Sequence, residues 1–508
     1  MSRFSPLTLG FAVPLSLISQ AALADLTPAQ VWGDWQSYMQ GMGYQISATE
    51  TASGGNLTVS DINMQFAMPD SGNMTMSMGT IRFDQNSDGT VAIVLPDVMP
   101  ITMAGSNLPD GGDFSMLMNY AQTGHSLTAS GTPEATTYDY DAATIALTLD
   151  QITAEGGNVS PDNVAMNFSA TNLNSTTQMT IGATRGYAQS GTVDSVAYAL
   201  KVDDPENPGS NGDVTGSITG VSFDGTGTIP LQIPDASDMA AMLAAGFDIT
   251  GSFAYEGGSS SFDIKNPEDG NFVMNTSSQG GSLGVEMGAD GLVYTGSQRN
   301  LSMGVTLEVM PFPFQIDMAE GGFNLAMPVS KSDDPQDFAL GINMSQFTMS
   351  DMIWSAFDPA GQLPRDPATV LLDLTGKAKL LVDWLNPEAA AQMTGAPGEV
   401  QAVALNNLLV TAAGAKLEGN GDITFDGAGP AMIPGMGNPV GAVNLALAGG
   451  NGLLDKLVAM GLIPQDQAMG ARMMMGLFAV PGNAPDTLTS KIEFTPEGQI
   501  LANGQRIR

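Results

Sequence analysis

The sequence predicts a mainly β protein with some α: long antiparallel strands in curved or stacked sheets, with a few amphipathic helices packed on the apolar face. Three observations predict it. Apolar and polar residues alternate with period two over most of the chain, the pattern of a sheet with one buried and one wet face. Clusters of Gly, Asn and Asp separate the alternating runs, in a chain holding 61 Gly and 30 Pro, residues that turns need. Cys is absent, so packing and hydrogen bonds must hold the fold without disulfides.

The first segment reads as a secretory leader. Arg3 precedes an apolar stretch from Leu7 to Ile18, then Ser19-Gln20 and Ala22-Leu23-Ala24 before Asp25, which predicts a signal peptide over residues 1–24 with cleavage after Ala24. A membrane anchor would need about 20 apolar residues, and Pro14 and Ser16 interrupt this run. The remainder, 25–508, reads as one elongated β-rich exported domain. A division into two lobes, about 25–300 and 301–508, is the alternative, although no low-complexity linker demands it.

A helix should open this domain. Thr27 can cap it, Pro28 suits its first position, and Val31, Trp32, Trp35 and Met39 recur at helical spacing before Gly41 and Gly43. Alternation takes over with Ile62, Met64, Phe66 and Met68, then Met74, Met76 and Met78. It continues through Ile145-Leu147-Leu149, Val164-Met166-Phe168, Val196-Tyr198-Leu200-Val202 and Phe323-Leu325-Met327-Val329. The run Phe338-Leu340-Ile342-Met344 changes phase at Ser345-Gln346 and resumes at Phe347 and Met349. A β-bulge is expected there, because a one-residue slip would otherwise turn the apolar set outward.

Helix returns at Asp351–Phe357, stopped by Pro359 and Gly361, at Leu453–Met460, closed by Gly461 and Pro464, and from Gln465 to Phe478. A hairpin closes the chain, Leu488–Phe494 and Gln499–Leu501 about a turn at Pro496-Glu497-Gly498. One internal echo, Lys201-Val202-Asp203-Asp204-Pro205 and Lys331-Ser332-Asp333-Asp334-Pro335, raises the expectation of equivalent hairpins in a duplicated architecture.

Charge excludes whole classes of function. With 16 Lys+Arg against 52 Asp+Glu the net charge is −36, and loss of Arg3 with the leader makes the mature chain one unit more negative. Such a surface repels phosphate backbones and anionic headgroups, so no nucleic-acid partner is expected. No mature segment is apolar enough to cross a bilayer as a helix. An outer-membrane barrel would also alternate, but the helical segments, the Gln505-Arg506-Ile507-Arg508 end and the 6% aromatic content speak against it.

Four motifs invite chemistry, and each has a plainer reading. The single histidine, His125, sits in Gln122-Thr123-Gly124-His125-Ser126; without Cys partners it makes no zinc site, and it reads as a turn residue. Gly280-Gly281-Ser282-Leu283-Gly284 matches the nucleophile-elbow spacing, but no His follows Ser282, and Val285-Glu286-Met287-Gly288 reads as strand and turn rather than helix. Asp84-Gln85-Asn86-Ser87-Asp88-Gly89 begins like a calcium loop, yet the twelfth position is Leu95, and Ile81, Phe83, Val91 and Ile93 make it a hairpin tip. The 33 methionines fall mostly on the apolar phase of strands and read as core filler. On Met473-Met474-Met475 only part of the run can face one side. A Met-lined β surface is also adaptable enough to accept lipids or varied partners.

The segments Trp354-Ser355-Ala356-Phe357-Asp358-Pro359, Leu363-Pro364-Arg365-Asp366-Pro367-Ala368 and Leu371-Leu372-Asp373-Leu374-Thr375-Gly376 resemble the alphaproteobacterial family known as domain of unknown function 2125. So do the stretch from Leu405 to Gly461, with Gly441-Ala442-Val443-Asn444-Leu445 before its helix, and the closing Gly498 to Asn503-Gly504 hairpin. The likeness covers about residues 340–508, the leader and the Trp32-Trp35 helix. It implies an envelope protein of α-proteobacteria and carries over no functional residues.

The expectation is therefore an uncharacterised exported envelope protein of the periplasm that is not an enzyme and binds an apolar ligand (a lipid) or a partner protein. No catalytic, cofactor-binding or metal-ligating residue is assigned, and no cofactor is expected. The alternative is a secreted, extracellular acidic structural or adhesive protein with calcium-binding loops at Asp84 and Asp203-Asp204. A hydrolase would need a base near Ser282.

Overall fold

The computed structural model describes residues 26–67, 72–106, 112–154, 157–160, 162–205, 207–232, 238–268, 270–308, 310, 312–393, 395–426 and 437–508. The expected leader and Met68 lie outside these residues. The protein is mostly β, as expected: antiparallel strands joined by hairpin after hairpin into a single up-and-down sheet. Its longest members, Ala135–Ala154, Val164–Ile181, Thr184–Asp203 and Asn211–Pro230, pair in chain order. Gly291–Leu307 pairs with Phe314–Met327, so the ladder runs on across residue 300. Among the described residues the first strand, Gln45–Ser53, pairs only with Asn56–Ala67, which leaves the sheet open.

The strands share one break. Ala142 pairs with Leu173 and Thr144 with Thr171, leaving Asn172 between them in the left-handed region at φ 50. One strand further, Thr171 pairs with Ser195 and Asn174 with Thr192. Val193 then pairs with Val221 and Ser195 with Thr219, around Gly220 at φ 60. The same latitude passes Gly280, Asn300 between the Arg299–Glu320 and Leu301–Met318 pairs, and Gln346 between Ser345 and Phe347. Toward the N-terminus it passes Gly124-His125 and Asp61. The bulge expected at Ser345-Gln346, where the register to Ala368–Leu380 shifts between Met344 and Phe347, is thus part of a line of interruptions that crosses the sheet perpendicular to its strands. At most of these interruptions facing residues of both strands drop out of the ladder together and the register is kept; lined up across the strands, they crease the whole sheet.

The crease divides each long strand into an upper and a lower wing, residues 184–193 and 195–203 in Thr184–Asp203 for example. The break also resets the alternation, so Val193 above and Val196 below pack into the same cluster. Ala170, Val193 and Val221 are buried together there, with Ile145, Leu173, Ile218 and Phe223 packed around them. The apolar face is therefore the inside of the fold. Charged residues take the outside: Lys201 pairs with Asp213 and Asp213 with Asp263, and Lys377 Nζ bonds Asp337 at 2.7 Å.

The helix Pro28–Gly41 starts as the sequence predicts. The Gln30 N–H donates to Thr27 Oγ1 at 3.4 Å and the Thr27 N–H to Gln30 Oε1 at 2.9 Å, a capping box. Its Val31 and Trp32 pack with Leu57, Val59, Ile81, Phe83, Val91 and Ile93, all nearly fully buried. Here, among the described residues, the fold fills its inner face with its larger buried core. The helices Asp351–Phe357 and Gln465–Phe478 match their expected bounds; Gly450–Ala459 begins three residues earlier than its apolar pattern suggests. Two short helices, Met239–Ala244 and Pro387–Ala391, were not expected.

The echoed Lys201–Pro205 and Lys331–Pro335 segments are not equivalent. Thr184–Asp203 descends from upper to lower wing, whereas Phe314–Met327 ascends. The two loops therefore lie at opposite rims, because the chain crosses the sheet an odd number of times between them.

Candidate functional site: an apolar trough along the crease

Beyond the N-terminal helix the inner face stays open. Alternation places apolar side chains there from both wings, and direct cross-strand pairs decide how high they stand. Phe223 lies opposite Gly191, Tyr198 opposite Gly216, Phe323 opposite Gly296 and Phe338 opposite Gly376. At each of these glycines a Cβ would collide with the facing ring. The aromatic rings lie down across their glycine neighbours, which spreads apolar surface over the sheet and keeps the trough from filling.

Two clefts occupy this trough. The first, of about 630 Å³, opens where the helix ends and is lined by Trp35 and Met39, by Met99, Ile101 and Tyr120 of the lower wing, and by Leu127, Tyr138 and Tyr140 of the upper wing. The second, of about 600 Å³, is lined by Phe253, Tyr255, Leu283, Phe323, Ile342 and Met344, with Met318 from below. Both volumes lie in the range typical of small-molecule sites. Between them the trough narrows at Ala170, Val193 and Val221, which are 7%, 7% and 4% exposed.

Polar groups in the first cleft are already paired. Arg185 donates to Asp34 from Nη1 at 3.0 Å and Nη2 at 2.6 Å, a bidentate bridge from sheet to helix, and stacks over Tyr38. Tyr140 donates to Gln122 Oε1 at 2.8 Å, while the Tyr120 and Tyr140 hydroxyls, on opposite wings, lie 2.7 Å apart. The Trp35 indole N–H donates to the Tyr138 hydroxyl at 3.1 Å. Burial, then the nearby Asp34 carboxylate, pushes the Tyr138 phenol up to about 12. Burial and the bond to Tyr120 raise Tyr140 as well. These phenols stay neutral at physiological pH, and the Arg185 and Asp34 charges offset each other. In the second cleft the polar lining is uncharged: Ser282, Ser297, Gln298 and Asn343.

The motifs singled out in the sequence fall elsewhere or turn structural. His125 lies on the crease with Nε2 3.1 Å from the Leu95 carbonyl oxygen, just past the strand Val91–Val94. Ser282 sits inside the strand Gly281–Gly288, not at a strand-to-helix turn, and shares a 2.7 Å hydrogen bond with Ser297 Oγ. Asp84–Gly89 is a hairpin tip: Arg82 Nε donates to Asp84, and the Thr90 N–H donates to Asp88 Oδ1. Asp203 pairs with Lys201 at 2.7 Å. Among the described residues no three His, Asp or Glu side chains converge as a metal would need.

The methionines divide. Met64, Met99 and Met118 are buried on the inner face, as core filler should be, whereas Met473 is 72% exposed. Met475, between the helix Gln465–Phe478 and the sheet, lines a small cleft with Leu417 and Leu445. No signal marked Arg185, Tyr120 or Tyr140 in the sequence, because their partners are distant along the chain or on a neighbouring strand.

No family model and no curated protein matches the chain. No helix among the described residues is long and apolar enough to cross a membrane.

Proposed function

We propose that this chain is a non-enzymatic, exported envelope protein that carries the hydrocarbon part of a lipid in the trough, in the periplasm. The observation that carries the reading is the set of large apolar side chains left half-exposed along the inner face: Leu283 at 49%, Phe323 at 48%, Met344 at 40% and Phe168 at 38%. Leu283, Phe323 and Met344 line one cleft together, and a patch of exposed apolar side chains rimmed by polar ones marks a binding site. Covering it regains roughly 25 cal/mol per Å². The charge distribution supports the same occupant, since among the described residues the only charged side chains lining the two clefts are Asp34 and Arg185, which pair with each other. Export is supported by the Arg3 to Ala24 leader pattern.

The test is organic extraction of the full chain after expression and secretion in a Gram-negative host, followed by mass spectrometry and by uptake of lipid from vesicles. Copurifying or transferred lipid is expected in molar amounts. Repeated absence of bound lipid together with no uptake overturns the reading.

A further inference from the structure

We infer that the trough is two separate lipid compartments on one chain, each taking the uncharged hydrocarbon of its own amphiphile. The inference rests on the lipid-carrier reading and deepens it. The two clefts, about 630 and 600 Å³, share no lining residue. The first centres near the strand Ala135–Ala154 and the second near Gly291–Leu307, about six strand spacings apart, or roughly 29 Å at ~4.8 Å per strand.

Between them the wings press together at Ala170, Val193 and Val221, all at most 7% exposed. Phe223 and Ile218, above and below Gly220, pack onto this cluster. At the crease the inner face is thus filled at the narrowing and open on either side, while lower on the same strands Phe168 and Tyr198 stay partly exposed. Along the crease, an occupant of one cleft reaches the other only by parting buried side chains. The linings differ as well. The first cleft is roofed by the N-terminal helix through Trp35 and Met39 and edged by the neutralised Asp34–Arg185 bridge. The second is lined by strand residues alone and offers only neutral side chains. Neither supplies an unpaired cation for an anionic headgroup, so the hydrocarbon, not the headgroup, is the part recognised.

The experiment uses the full mature chain, freed of lipid and reloaded with phosphatidylethanolamine carrying a photoactivatable diazirine in its acyl chain. Crosslinks are mapped by peptide mass spectrometry and stoichiometry is read by native mass spectrometry. Two blocking variants place an indole in one cleft each: Gln189→Trp in the first and Leu283→Trp in the second. Both positions are exposed, so circular dichroism melts should confirm an intact fold.

Saturation at two or more lipids is expected, with crosslinks in both linings. Each variant should lose about half the bound lipid and only its own set of crosslinks. Saturation at one lipid, or loss of both crosslink sets in either folded variant, overturns the two-compartment arrangement while leaving the carrier reading standing. No labelling of the wild-type chain overturns the carrier reading and this inference with it.

Discussion

Arg185 and Asp34, 151 residues apart in sequence, form a two-pronged bridge with a shortest contact of 2.6 Å that ties the N-terminal helix to the upper wing. The guanidinium is 5% exposed and the carboxylate 14%. Removing one partner of a pair this buried leaves an uncompensated charge, which costs about 3–5 kcal/mol. Arg185→Ala should therefore lower the urea midpoint sharply, and the double replacement Asp34→Leu/Arg185→Leu should recover much of the loss. A double variant as unstable as the single one would show that shape, not charge pairing, matters at this contact.

Phe323 should separate binding from stability. Its ring is half-exposed over Gly296, so Phe323→Ser should cost no more than about 1 kcal/mol in folding. Lipid loading of the second cleft should fall severalfold. Gly296→Val should do both kinds of damage, since its side chain needs the space under the ring. Thermal melts and lipid quantification on the same preparations distinguish the two effects.

The buried Tyr138 makes a pH prediction. Its phenol is pushed up to about 12 in the fold, above the ~10 of an unfolded tyrosine. The fold therefore favours the neutral form. This contribution is fully present below pH ~10 and is lost as pH rises through the folded value. Tyr138→Phe should lose about 1 kcal/mol at neutral pH with the Trp35 hydrogen bond, but its stability should decline less steeply from pH 10 toward 12. Parallel melts across that range check the difference.

At the other end of the chain Asp486 caps the helix Gly450–Ala459, accepting the Asn451 and Gly452 N–H groups at 3.1 and 2.8 Å. The Gly452 bond is the foremost cause of a carboxyl held below its ordinary range. Asp486→Asn keeps an acceptor but drops the charge at a helix N-terminus, a loss of about 0.5 kcal/mol. The carboxylate's contribution is present above the unfolded pKa and disappears as pH falls through the lowered folded value. Wild type and variant should accordingly converge in denaturant titrations at acid pH.

The crease can be tested at Gln346, at φ 56. A β-branched side chain resists that conformation, so Gln346→Val should cost about 1–2 kcal/mol, whereas Gln346→Gly should stay within about 0.5 kcal/mol. Equal effects would mean that the backbone there is not held left-handed.

What was legible in the sequence was local. Thr27, Pro28 and Gln30 mark a helix start because a cap needs only residues three apart. The phase change at Ser345-Gln346 marks a bulge because alternation is read along one strand, and the turn at Asp84–Gly89 is set by its own side chains. Hairpins joined one after another and one wet face per strand follow from the same short-range pattern, as does the compositional expectation of an acidic exterior.

The trough was not legible, for a physical reason. Seven interruptions, from Asp61 to Gln346, become a crease only when the register of every hairpin brings them to one latitude, and that register is a property of pairs of strands. The same holds for Phe323 over Gly296, Tyr120 beside Tyr140, and Arg185 on Asp34. Alternation along the chain determines that an apolar face exists. Whether that face closes into a core, as it does under Trp32, or stays open, as it does at Leu283, depends on which residues the ladder sets opposite one another.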